Sequence, residues 1–308
     1  MHRLVLTILA CLPALAACAA DPDAAALDRA LAANGGPAAV AGPPGAPVDP
    51  ALPLPGRVGA WARRFAAAGD ATYRFGLAED GYARLGRLVL DERQDCISLV
   101  YRVTELARAA DPRDAVAWAL RTRFAGARPG EVVDDRGLVD YDHPVHLDYS
   151  LDMVRSGWWG ADVTAQLTGA RPDSLGTARY PAGSFAWVPA GALVPGELRE
   201  GDVAWLVLDP TDAKARALRD EHGLVVGHAG IVVVQDGEPW LVHAASSALP
   251  GWYEGDGVAQ VPLGVYLQRV QRYGGVVVTR FEEGDAPTDG NRPVTARPAP
   301  PPSPPPPR

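Results

Sequence analysis

Cys96 directly follows Asp95 and opens a run in which residues 96, 99, 100, 103, 106 and 107 are apolar, the spacing of one helical face. A thiol in the first turn of a helix meets unpaired backbone N–H groups and the positive end of the helix dipole, both of which favour the thiolate. The same amides point toward an oxyanion forming on a carbonyl that Cys96 attacks. Asp95 reads in two compatible ways, as the N-cap of this helix and as a contact to substrate.

A cysteine nucleophile needs an imidazole to accept its proton and a third polar group to orient that imidazole. His143 and His146 stand in a Pro- and Asp-containing loop, and His222 lies in the charged stretch Arg219-Asp220-Glu221-His222. His228 and His243 differ, because each is embedded in an apolar, β-rich segment where an unpaired imidazole is costly to bury. Between them Asp236-Gly237 suits a two-residue hairpin turn. That register sets His243 opposite Gly230 and makes His228 and His243 diagonal neighbours on one face, with backbones about 7–8 Å apart. A three-residue loop would send them to opposite faces unless a bulge intervened. An ion pair of Cys96 with protonated His228 is expected, letting the thiol react below its ordinary pKa of about 8.5.

Cys96, His228 and His243 could also hold zinc, but no Cys-x-x-Cys or His-Glu-x-x-His motif supplies the remaining ligand. No Gly-rich phosphate loop or dinucleotide fingerprint occurs either, so neither a metal nor a cofactor is expected. The formal charge of −8, from 29 basic and 37 acidic residues, gives no basic face for nucleic acid.

The elements that must position these residues fall into two halves. Helical patterns occupy 58–68 and 96–109, and short β-rich runs follow at 203–208, 224–234, 240–244 and 275–281. Helices followed by strands indicate an α+β fold, with one domain over residues 57–283. Residues 1–18 read as an export signal whose apolar stretch is too short to span a bilayer. Leu15-Ala16-Ala17-Cys18 resembles a lipobox, which would make Cys18 a lipid carrier; the alternative is an ordinary signal peptide. Cys11 leaves with the signal, so Cys96 is the one thiol of the folded body. Residues 19–56, rich in Ala, Gly and Pro, read as a disordered tether, and 284–308 as a Pro-rich tail.

At these residues the chain resembles the NlpC-type, papain-like cysteine hydrolases of bacterial cell walls, most closely their N-acetylmuramoyl-L-alanine amidase-like family. The resemblance runs from about residue 57 to 281. Its pieces are Asp95-Cys96, Leu151-Asp152, Asp162-Val163-Thr164, Glu200-Gly201-Asp202, Gly227-His228-Ala229-Gly230, Val242-His243-Ala244 and Pro262-Leu263-Gly264-Val265-Tyr266-Leu267. It implies a papain-like fold, N-terminal helices packed on an antiparallel sheet, with Cys96 as nucleophile, His228 as base and His243 as the third polar residue. It also implies cleavage of the amide between N-acetylmuramic acid and L-alanine in peptidoglycan, or of an amide within the stem peptide. The chain departs from the family at Pro144-Val145-His146, where Arg-Asn-His is usual, and at Tyr101, where an acidic residue is common. A monomer facing the periplasm, held to the outer membrane by lipid on Cys18, completes the expectation. A binding module that keeps the fold without catalysis is the third alternative, and it would have no use for a thiol with a base and an orienting group.

Overall fold

The structure, a computed structural model, describes residues 21–147, 151–177 and 179–282. Cys11, Cys18 and the rest of the expected signal, together with the tail 284–308, lie outside the described residues.

The first half folds as helices α1 (Pro22–Ala33), α2 (Gly36–Val40), α3 (Leu54–Ala68), α4 (Tyr82–Leu85), α5 (Cys96–Arg108), α6 (Pro112–Arg123) and α7 (Pro129–Val132). The first two correct the expected tether. Asp21 caps α1 by accepting from the Asp23 amide at 3.0 Å, and Pro22 takes the first turn, where a missing N–H costs nothing. Ala26, Leu27, Ala30 and Val40 are buried, with α1 packed on α6 and α7 and α2 on α6. Small alanine faces allow that close approach, and polar anchors secure it. Buried Asn34 donates to Ala30 O at 2.7 Å, while its Oδ1 accepts from the Leu88 and Val89 amides at 3.0 and 2.9 Å.

This N-terminal layer also changes the environment of α5. One inward stripe was expected, yet every residue from Cys96 to Ala107 is buried. The polar side of the helix is satisfied internally: Arg102 donates to Val40 O at 2.9 Å and pairs with Asp91 at 2.7 Å. Glu105 accepts two hydrogen bonds from Arg123, at 2.7 and 2.9 Å, in a wholly buried pair.

Strands β1 (Thr72–Tyr73) and β2 (Arg93–Gln94) pair in parallel with Tyr73 opposite Gln94, which brings Tyr73 beside the residues leading into Cys96. The main sheet comprises β3 (Ala161–Asp162), β4 (Arg171–Pro172), β5 (Ala186–Pro189), β6 (Val203–Leu208), β7 (Val226–Gln235), β8 (Glu238–Ala245), β9 (Gly257–Pro262) and β10 (Tyr273–Arg280). Its order is β4-β5-β10-β6-β7-β8-β9 with β3 on β10, and the pairing is antiparallel throughout. Helices α8 (Leu151–Ser156), α9 (Ala213–His222) and α10 (Leu263–Arg269) complete an α+β fold.

β6 is buried on both faces because each side of the sheet carries its own core. Val203, Trp205, Val207, Ile231, Val233, Val242 and Ala244 pack in the layer containing α5. Ala204, Leu206, Leu208, Val232, Leu241 and Val261 pack with Leu263, Tyr266 and Leu267 of α10. The β7–β8 hairpin turns at Asp236 (φ 50°) and Gly237 (φ 80°), and Gln235 pairs with Glu238 and Ile231 with Val242. The two-residue connection is therefore the one formed, as the Asp-Gly pair requires.

Candidate active site

Asp95 caps α5, with one carboxylate oxygen accepting from the Ile97 and Ser98 amides at 3.0 and 2.7 Å. Ser98 Oγ completes a capping box by accepting from the Asp95 amide at 2.8 Å. The other Asp95 oxygen accepts from the Gly76 amide at 2.8 Å, so the carboxylate joins the 73–76 segment to the start of α5. Both oxygens are thus spent on backbone within a side chain that is 4% exposed. Of the two compatible roles expected for Asp95, the structure shows the cap. Burial pushes its carboxyl above the usual range, against the Ser98, Gly76 and Ile97 hydrogen bonds that hold it down. The Ile97 and Ser98 amides, taken by this cap, do not face a substrate oxyanion.

His228 and His243 project on the α10 side of the sheet, and His228 Nε2 lies 2.8 Å from His243 Nδ1. Their rings meet edge to face with centroids 5.0 Å apart. Gly230 makes this approach possible, since a Cβ there would stand 2.6 Å from Val242 O and 3.1 Å from His243 Cβ. Tyr266 of α10 covers both imidazoles, 5.9 Å from the His228 ring and 4.8 Å from that of His243. Tyr273 stacks near His228 at 5.9 Å, and Tyr253 meets the His243 edge at 5.4 Å.

Cys96 belongs to the core layer that contains α5. Burial and then the Cys96 charge hold the Tyr73 hydroxyl up, and the same charge reaches Tyr266 and Tyr273. Helix α5, which opens with Cys96, packs on β7 and β8, the two strands that carry the histidines. Cys96 is in no disulfide and is buried, 8% exposed, and His228 is buried to the same extent.

The surroundings of the two imidazoles disfavour the charged form that the expected ion pair needs. Burial, followed by the charges of His243 and Arg272, holds His228 well below its ordinary value, and burial alone lowers His243 to about 3. The imidazole pair rests uncharged at neutral pH. With Nε2 engaged by His243, Nδ1 is the His228 atom left to take a proton. Proton acceptance there requires Nε2–H to donate to His243 Nδ1, which places the His243 proton on Nε2, a buried atom without a hydrogen-bond partner.

The other described histidines are His143, His146 and His222. His146 packs against Phe124 and Tyr141, His143 also against Phe124, and His222 ends α9 on the surface. Among the described residues no group of three or more His, Cys, Asp or Glu side chains is arranged to hold a metal. Sequence reasoning missed Tyr73, Tyr253, Tyr273 and Arg272 and gave Tyr266 no role. Tyr266 lies in a segment that carried the family resemblance, whereas Tyr73 becomes meaningful only through the β1–β2 pairing.

An α+β layered fold with a thiol at a helix start and paired histidines at a sheet end defines the class. No protein-family model and no curated protein matches this chain. Among solved structures, two of an N-acetylmuramoyl-L-alanine amidase from Bacteroides uniformis are similar, each with a TM-score of 0.51. Identity is 19% and 20%, and the alignments cover 74% of this chain and 98% and 99% of those chains. A Legionella pneumophila protein described by the family model DUF1460 is similar with a TM-score of 0.51 and 14% identity, over 74% of this chain and 88% of that one. These likenesses show a shared fold.

Proposed function

We propose that this chain is a cysteine-dependent amidase of the bacterial cell wall, with an NlpC-type, papain-like arrangement and N-acetylmuramoyl-L-alanine as its scissile unit. The observation that carries the reading is the His228–His243 contact of 2.8 Å beside the capped helix start that bears Cys96. The fold shared with the Bacteroides uniformis amidase supports the substrate class.

In this reading the Cys96 sulfur attacks the lactyl carbonyl as its proton passes to His228 Nδ1. His243 holds the imidazole and shares the positive charge that forms on it. The tetrahedral intermediate collapses when His228 returns the proton to the departing L-alanine nitrogen, leaving a thioester on Cys96 and a free amine. Water, deprotonated by His228, then attacks the thioester and releases the lactyl carboxylate and the thiol. With burial favouring the uncharged imidazole, His228 acts as a general base during attack.

The protein is further proposed to act as a periplasmic monomer, tied to the outer membrane by lipid on Cys18. Mass spectrometry of the mature N-terminus tests the anchor, which an unmodified Cys18 or a cleavage elsewhere overturns. Digestion of purified muropeptides tests the activity. A free lactyl carboxyl with a new L-alanine amine is expected, whereas an amine released at another stem residue makes the protein an endopeptidase.

A further inference from the structure

Arg272 precedes Tyr273, one of the rings around His228, and has no part in the proton transfers above. Its side chain is exposed, yet its position is set from within: Nη2 donates to the Tyr273 hydroxyl at 2.9 Å, and the guanidinium carbon lies 5.0 Å from the Tyr273 ring centre. Tyr273 is buried, and its hydroxyl donates to Gly227 O, the carbonyl preceding His228, at 3.2 Å. The same ring lies 5.9 Å from the His228 ring. One tyrosine is all that separates a fixed positive charge at the surface from the proposed base.

We infer that Arg272 is a specificity residue that binds a carboxylate carried by the substrate within about one residue of the scissile amide. This rests on the cell-wall amidase reading and names the feature of the stem peptide that the site recognises. A planar guanidinium pairs with a carboxylate through two parallel hydrogen bonds, a geometry that a lysine cannot reproduce. The distance scale also suits it. One extended residue spans about 3.5 Å, so the α-carboxyl of the residue after L-alanine lies on the order of 7 Å from the lactyl carbonyl. That carboxyl is free when the second residue is γ-linked D-glutamate and neutral when it is D-isoglutamine.

The electrostatics of the empty site point the same way. Arg272 opposes protonation of His228, which works against a residue that must accept a proton. A substrate carboxylate laid against the guanidinium offsets that field at the moment it is needed. An acidic substrate thus restores basicity to His228, and a neutral one leaves it depressed.

The experiment compares N-acetylmuramoyl-L-alanyl-D-glutamate with its D-isoglutamine counterpart on wild type, Arg272→Gln and Arg272→Lys. Wild type is expected to favour the acidic substrate in kcat/KM by roughly 10- to 100-fold. Arg272→Gln should remove that preference, slowing the acidic substrate while the neutral one, relieved of the guanidinium's field on His228, is cut no more slowly, and Arg272→Lys should keep a smaller part of the preference. Equal wild-type rates, or a parallel loss on both substrates in Arg272→Gln, overturn the inference while the amidase reading stands. Calorimetric titration of both muropeptides into the Cys96→Ala protein reads the preference independently of bond cleavage. If neither compound is cut or bound, the cell-wall reading falls and this inference falls with it.

Discussion

His228 and His243 face one another at 2.8 Å across strands of a single hairpin, so the position of one imidazole is dictated by the other and by the Asp236-Gly237 turn. The two are not equivalent. His228 keeps a nitrogen directed away from the pair, whereas His243 is fully buried and offers only its Nδ1. Replacing Cys96 with Ala should abolish hydrolysis and leave thermal unfolding nearly unchanged. His228→Ala should cost at least roughly 10²-fold in kcat. His243→Gln should retain part of the activity and His243→Ala less, measured by muropeptide turnover. Equal losses in the two His243 variants would show that orientation is not its role.

The buried imidazoles also make stability depend on pH. The unfolded chain takes up these protons as pH falls through about 6.5, while folded His243 resists until about 3. Their contribution is therefore complete above pH 6.5 and is lost progressively between that value and the lower one. The slope approaches about 1.4 kcal/mol per pH unit for each imidazole. Buried Asp95, with its raised carboxyl, acts in the opposite direction, so the histidine share is read as the difference between wild type and His243→Gln in denaturant titrations at pH 5 and 7. A variant with the same pH dependence as wild type would refute it.

Glu105 of α5 and Arg123 of α6 form a fully buried ion pair. Deleting one partner leaves the other charge without compensation, so Glu105→Ala should destabilise the fold by about 3–5 kcal/mol. Replacing both with apolar residues of similar volume should cost much less. Chemical denaturation of the single and double variants distinguishes the two cases.

Gly230→Ala tests the close approach of β7 and β8. The added methyl would press on Val242 O and His243 Cβ, costing about 1–3 kcal/mol and separating the imidazoles. Turnover should therefore fall further than the loss of folded protein explains, as judged by comparing kcat per folded molecule.

Removal of residues 21–41 should destabilise the remaining chain, because it uncovers α6 and takes away the Val40 carbonyl that Arg102 uses. Asn34→Ala should reproduce part of that effect, about 1–3 kcal/mol, by stranding the Leu88 and Val89 amides. Thermal unfolding equal to that of the full chain would restore the tether.

The hairpin was legible in the sequence because a two-residue Asp-Gly loop fixes register, and register fixes which side chains share a face. The start of α5 was legible for a similar reason: Asp95 and Ser98 are local partners. What escaped was non-local. The second Asp95 oxygen serves Gly76, nineteen positions earlier, and no periodicity records that. Residues 21–41 looked unfoldable because composition weighs apolar area and overlooks an asparagine that bridges two distant amides. The uncharged state of the imidazoles was hidden as well, since it follows from burial under Tyr266, and that requires the sheet and α10 together.

The placement of the site at a sheet end sets an order of events as the chain is made. Cys96 emerges well before His228, and Tyr273, which closes the same corner, comes later still. Helix α5 can acquire its cap from Asp95 and Ser98 at once, since those contacts are local. The imidazole pair must wait for β7 and β8, and the ring beside it for β10 to dock on β6. In the proposed reading, a growing or incompletely assembled chain therefore holds a thiol with no imidazole beside it, and its reactivity is deferred until the last strand is in place.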